Sequence, residues 1–111
     1  MNITESFITA WNVISARAHN NAVDKGFWTS TNVGEKIALI HGEVSELLET
    51  IRDPIVGSKK IPEYSHSTEE AADIIIRLMD LCVHEGWNVA PAILAKMEYN
   101  KGRPRKHGRK F

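Results

Sequence analysis

Ser67-Thr68-Glu69-Glu70-Ala71-Ala72-Asp73-Ile74-Ile75-Ile76-Arg77-Leu78-Met79-Asp80-Leu81-Cys82-Val83-His84-Glu85-Gly86 is the stretch on which the fold of this 111-residue chain turns. Set at about 100° per residue around a helix, Glu70, Asp73, Arg77, Asp80 and His84 fall on one narrow stripe, and nearly every other position is apolar. A helix apolar over most of its circumference is buried on most sides. The spacing therefore predicts a central helix, opened by Ser67 and closed by Gly86, that packs within the subunit and against a second one. Its polar stripe then lines an internal cleft.

Outward from this helix the apolar spacing stays helical and no alternating strand pattern persists. Phe7, Trp11, Ile14 and Ala18 mark one face of a first helix from about Thr4 to Val23, and Gly26 breaks it. Phe27 to Asn32 form a polar connection carrying two aromatics, and Asn32 with Glu35 starts a second helix. That helix holds Ile37, Ile40, Val44, Leu47, Leu48 and Ile51 in one stripe and ends before Asp53-Pro54. A loop with Pro54, Gly57 and Pro62 leads to the central helix. A fourth helix runs from near Asn88 to about Asn100, where Gly102 and Pro104 prevent its extension. The expected fold is all-α, four helices in a single domain over residues 1–111 with a basic tail from about residue 101.

Composition sets bounds. A hydrophobic fraction of 42% and a charged fraction of 25% are those of an ordinary globular protein. The start, Met1-Asn2-Ile3-Thr4-Glu5, lacks the basic and apolar runs of a signal peptide, and no stretch is apolar enough to span a bilayer. One cysteine, Cys82, in an apolar helical segment fits a small core residue in a reducing cytoplasm. The formal charge of zero hides an asymmetry: six of the fourteen basic residues fall in the last eleven positions with no acid. That leaves eight bases against fourteen acids in the first hundred residues. The tail is either a solvated terminus or a source of cations for an anionic ligand.

Two acidic signatures carry the chemistry. Glu43-Val44-Ser45-Glu46 and Glu70-Ala71-Ala72-Asp73 each put two carboxylates three residues apart on a helix, where like charges repel. Two helices that both accept this repulsion point to a cation between them. Plainer roles compete: Ser67-Thr68-Glu69-Glu70 matches a capping box in which Glu70 reaches back to the Ser67 amide. Arg77, four residues after Asp73 and three before Asp80, can satisfy both acids within its own helix. Glu46, Glu49 and Arg52 can form a solvated face.

On these residues the chain resembles the MazG-like members of the all-α nucleoside triphosphate pyrophosphohydrolases, whose pattern is E-x-x-E, a spacer, then E-x-x-D. Glu35-Lys36-Ile37-Ala38-Leu39-Ile40-His41-Gly42-Glu43 looks like the entry to the first motif and Glu70 to Asp80 like the second. Lys96-Met97-Glu98-Tyr99-Asn100-Lys101-Gly102-Arg103-Pro104 resembles the closing K-x-x-x-N-x-x-R segment. The likeness runs roughly from Gly26 onward. It implies a MazG-like helical domain packed in an oligomeric bundle, a homodimer or tetramer, that hydrolyses a (d)NTP to the (d)NMP and pyrophosphate. It further implies Mg²⁺, or Mn²⁺ in its place, held by Glu43, Glu46, Glu70 and Asp73, with Glu46 or Glu49 orienting the attacking water. Lys96, Asn100 and Arg103 match its phosphate-side positions, and Arg105, Lys106 and His107 are weaker candidates there.

Trp28 and Phe27 precede the second helix, and an aromatic face stacks on any nucleobase. Trp28 is the preferred base contact and Phe27 the preferred anchor of the loop on the core, with His19 and Asn12 as weaker base or sugar contacts. His41 reads as a helix-surface or interface residue. Glu63 and His66 spell E-x-x-H, but Pro62 puts them in a loop, which argues against a di-iron carboxylate bundle. The enzymatic alternatives are a phosphoribosyl-ATP or dUTP pyrophosphatase. The others are a nucleotide-binding module without hydrolysis and a nucleic-acid-binding module, against which the acidic body argues.

Overall fold

The computed structural model describes residues 1–54 and 57–111, so two positions of the expected 54–62 loop lie outside the described residues. Four helices follow one another: α1 (Ile3–Asp24), α2 (Val33–Arg52), α3 (His66–Glu85) and α4 (Val89–Lys101). A short 3₁₀ turn, Arg105–Gly108, lies in the basic tail. Among the described residues there is no strand, and no helix is long and apolar enough to cross a membrane.

Local chemistry accounts for the boundaries. The Asn2, Asn32 and Ser65 side chains accept the backbone N–H of Glu5, Glu35 and Thr68, at 2.8, 3.1 and 3.0 Å respectively, the usual way to satisfy an orphan donor of the first turn. Two helices end alike. Gly26 and Gly86 adopt φ of +84° and +72°, and the next residue donates its N–H five positions back, Phe27 to Ala22 at 3.0 Å and Trp87 to Cys82 at 2.9 Å. Both closures leave an aromatic side chain just beyond the helix end.

The start of α3 departs from the capping-box expectation. Its cap is Ser65, one residue ahead of the helix, and Thr68 takes the third helical position. The Ser67 hydroxyl turns instead to Thr50 Oγ1 on α2, at 2.7 Å. Glu70 therefore has no capping duty.

Helix α3 is central: it packs against both α1 and α2, while the main packing of α4 is on α1. Met79, Leu81 and Cys82 of α3 join Ala22 of α1 and Ala90 of α4 as the fully buried apolar residues. Burial pushes the Cys82 thiol above its ordinary pKa, in keeping with an inert core thiol.

The apolar stripe of α2 is divided. Ile40 and Leu47 are half-buried, whereas Ile37, Val44, Leu48 and Ile51 are 41 to 67% exposed. Ile75, Ile76 and Leu78 of α3 are exposed too. The chain presents 8401 Å² of surface where a compact monomer of 12.5 kDa presents about 6,200 Å². Its radius of gyration is 16.4 Å against about 13 Å for a compact domain of this length.

Candidate functional site

The acids of α2 and α3 meet where these helices pack. Carboxylate oxygens of Glu43, Glu46 and Glu70 all lie within 4.8 Å of one another. Asp73, one turn beyond Glu70, lines a cavity of about 310 Å³ together with Glu43. Glu70 is only 8% exposed, and its Oε2 is buried with no hydrogen-bond partner.

Electrostatics record the crowding. The Glu46 carboxyl is raised above its ordinary value, first by its hydrogen bond to Glu43 and by that group's charge, then by desolvation and by Glu70. Asp73 is raised first by desolvation, then by the charges of Glu43, Glu70 and Glu69, with Lys60 acting in the opposite direction. A carboxyl raised by neighbouring carboxylates is one whose anionic form has too little positive charge beside it. An all-oxygen donor set is the type that hard divalent cations take, and one oxygen of Glu70 has no hydrogen-bond partner.

Arg77 does not pair within its own helix. Its Nε donates to Glu43 Oε1 at 2.7 Å, crossing from α3 to α2, and neither Asp73 nor Asp80 forms an ion pair with it among the described residues. Asp80 is occupied elsewhere: one oxygen, Oδ1, accepts from Trp28 Nε1 at 2.8 Å and meets His19 Nδ1 at 2.8 Å. The cavity lies between α1 and α3 and reaches α2, with Asn21, Phe27, Glu43, Asp73, Arg77 and Asp80 on its walls.

The two aromatics take placements opposite to those expected from sequence. Trp28 stacks on His84, ring centroids 3.7 Å apart and planes 6° from parallel, and Lys36 Nζ sits 4.7 Å from its centre. With its N–H on Asp80 as well, Trp28 anchors the connection to α3 and does not line the cavity. Phe27 is 49% exposed and does line it, with the Arg77 guanidinium 5.7 Å from its ring. The backbone N–H of Phe27 closes α1, which leaves its side chain at the cavity mouth and delivers the next residue to α3.

Of the remaining candidates, Glu49 stands outside the cluster, paired at 3.3 Å with Arg52 on an exposed face. Lys96 and Arg103 flank Tyr99, at 4.6 and 5.7 Å from its ring. Asn100 keeps a buried, unpartnered Oδ1. None of these three lines either of the described cavities. Sequence reasoning passed over Asn21 and Lys60. The first lies on the polar side of α1 and the second in a loop, where no periodicity signals a role. No family model, curated protein or solved structure matches the chain.

Proposed function

We propose that this chain is a Mg²⁺-dependent nucleoside triphosphate pyrophosphohydrolase of MazG-like type, converting a (d)NTP and water to the (d)NMP and pyrophosphate. The observation that carries this reading is the convergence of the Glu43, Glu46 and Glu70 carboxylates within 4.8 Å, beside a cavity that also holds Asp73, Arg77 and Phe27. A bound divalent ion would neutralise phosphate charge and lower the pKa of a water molecule. In this reading Glu43, Glu46, Glu70 and Asp73 hold it.

Glu46 takes the role of base over Glu49, because it lies in the cluster, whereas Glu49 is engaged by Arg52 on an exposed face. The water oxygen bonds to the α-phosphorus, its proton passes to Glu46, and the bond from the α-phosphorus to the bridging oxygen breaks to release pyrophosphate. Arg77 and Lys60 supply positive charge at the cavity wall for phosphate oxygens. Phe27 offers the aromatic face for the base.

The same reading takes the protein as a homodimer or tetramer in the cytoplasm. Its support is the roughly 2,200 Å² by which the protomer's 8401 Å² exceeds the compact-monomer expectation. That excess sits in the range buried at obligate interfaces, and exposed Val44, Leu48, Ile51, Ile75 and Ile76 give it the right chemistry.

A screen of common NTPs and dNTPs, dUTP and phosphoribosyl-ATP included, with Mg²⁺ and with separate detection of pyrophosphate and orthophosphate, tests the proposal. Pyrophosphate and a monophosphate in equal amounts are expected. Release of orthophosphate and a diphosphate, or full turnover in excess chelator, would refute it.

A further inference from the structure

A second cluster adjoins the first. His66, Glu69 and Glu70, all in the opening turns of α3, bring one ligand atom each within 4.8 Å of one another. They border a separate cavity of about 220 Å³ with Gly57, Lys59 and Lys60. His66 and Glu70 are four residues apart and Glu69 three from His66, the spacings that put helix side chains on one face. Nothing in the pyrophosphohydrolase reading uses His66 or Glu69.

Three features separate this cluster from a simple histidine–carboxylate pair. His66 Nε2 and Glu70 Oε1 are 3.1 Å apart, a few tenths of an ångström short of the about 3.4 Å between adjacent ligands of a tetrahedral ion bound at about 2.1 Å. Pairing at that edge still leaves Glu70 Oε2 buried without a partner, so the second oxygen is open to a second ion. Glu69 is held in place: the buried hydroxyl of Ser58 donates to its Oε1 at 2.8 Å. Ser58 in turn accepts the N–H groups of Lys60 and Ile61, both at 3.1 Å. Hydrogen-bonded orientation of a carboxylate from behind is the support that metal ligands require. Among the described residues neither Lys59 nor Lys60 forms an ion pair with Glu69 or Glu70.

We propose that His66, Glu69 and Glu70 form a binding site for a transition-metal cation of the Zn²⁺ class, with Glu70 shared between it and the all-oxygen cluster of Glu43 and Glu46. The imidazole sets the selectivity. Oxygen-only sites suit Mg²⁺ and Mn²⁺, whereas a nitrogen donor favours Zn²⁺ and its neighbours. One oxygen of Glu70 faces His66 and the other is free, so one carboxylate serves both positions. Occupancy clamps the segment around Ser58 to the start of α3 and fixes the orientation of Glu70. The site stands on these three side chains and holds whether or not the chain hydrolyses nucleotides.

The test is calorimetric titration of Zn²⁺ into the full chain with Mg²⁺ in large excess, followed by Co²⁺ absorption, for wild type, His66→Gln and Glu69→Gln. Wild type should bind one Zn²⁺ per chain, and each variant should bind it at least tenfold more weakly, the minimum even for an outer-shell change at a metal site being about that size. Nuclear magnetic resonance of ¹⁵N-labelled histidine reads the wild-type protein directly, and the His66 Nε2 resonance should move on adding Zn²⁺. Equal Zn²⁺ affinity in wild type and His66→Gln, no Zn²⁺ bound to wild type, or a His66 resonance indifferent to Zn²⁺ would each overturn the proposal. Loss of nucleotide hydrolysis with Zn²⁺ binding intact would bear on the pyrophosphohydrolase reading alone.

Discussion

Neutralising Glu46 or Asp73 should abolish turnover and yet leave the metal-free protein as stable as wild type, or more so. At 4.8 Å two unit charges repel by about 0.9 kcal/mol in water and by about 3.5 kcal/mol at an effective dielectric of ~20. Glu46 is exposed, so the lower figure applies, and Arg77 already offsets part of Glu43's charge. Glu46→Gln should then gain up to about 0.9 kcal/mol in chelator, a rise of no more than about 4 °C in Tm for a chain of this size. Asp73→Asn removes a carboxylate whose desolvation is its largest perturbation, with the same sign. Glu43→Gln is the control of opposite sign, because it breaks the 2.7 Å pair with Arg77 and should lose about 1 kcal/mol. Mg²⁺ at a hundred times its Kd stabilises a folded protein by about 2.7 kcal/mol, and this gain should appear in wild type and shrink in all three variants. Thermal melts with EDTA and with Mg²⁺, beside a pyrophosphate-release assay, measure both effects. A fall in the Tm of Glu46→Gln and Asp73→Asn in EDTA, together with retained hydrolysis, would refute the metal-site assignment.

Three other outcomes follow from the same geometry. Glu46 and Asp73 have folded-state pKa values above their unfolded ones, so the folded state binds more protons. Metal-free stability should therefore rise as pH falls from neutrality toward about 4, and melts of the Glu46→Gln/Asp73→Asn double variant should lack that rise. Phe27→Ala should raise KM with little change in Tm, whereas Trp28→Ala should lower Tm by removing the Asp80 hydrogen bond and the His84 stack, a loss of about 2 kcal/mol; steady-state kinetics and melts separate the two. Lys96, Asn100, Arg103 and the tail line neither described cavity, so truncation after Pro104 should leave the helices intact by circular dichroism and KM unchanged, and a raised KM would put the tail on the substrate.

What the sequence made legible was whatever depends on neighbours along the chain. All four helices, their glycine closures and the Asn32 cap lie within a residue or two of the expected positions, because spacing and capping are local properties. The pairing of Glu43 and Glu46 with Glu70 was legible for a related reason: once α2 and α3 each bury an apolar stripe, the acids beside those stripes have few other places to go. Side-chain partners across helices were not. Arg77 has two acids within reach on its own helix, and only the approach of α2 makes Glu43 the better partner. Trp28 and Phe27 are adjacent in sequence, so composition cannot tell which turns inward. That choice is made by Asp80, fifty-two residues away, whose oxygen takes the indole N–H.

The same distinction explains how the acids can stay crowded. Helix α3 is held on two sides by α1 and α2, and Ser67 on α3 is tied to Thr50 on α2, one turn from Glu70 and Glu46. That hydroxyl pair fixes the two helices at the end where their carboxylates repel, while Arg77 and Glu43 fix them on the far side of the cluster. Repulsion among Glu43, Glu46 and Glu70 consequently cannot relax by parting the helices; it is relieved by proton uptake, as the raised Glu46 and Asp73 show, or by a cation. In the metal-site reading, bracing at both ends of the acidic cluster would preorganise it for that cation. Thr50→Val, which removes one brace without touching an acid, should therefore weaken Mg²⁺ binding and lower the pKa of Glu46 together. If Thr50→Val leaves both unchanged by calorimetry and ¹³C-carboxyl titration, the crowding is set by the acids alone and the bracing argument is wrong.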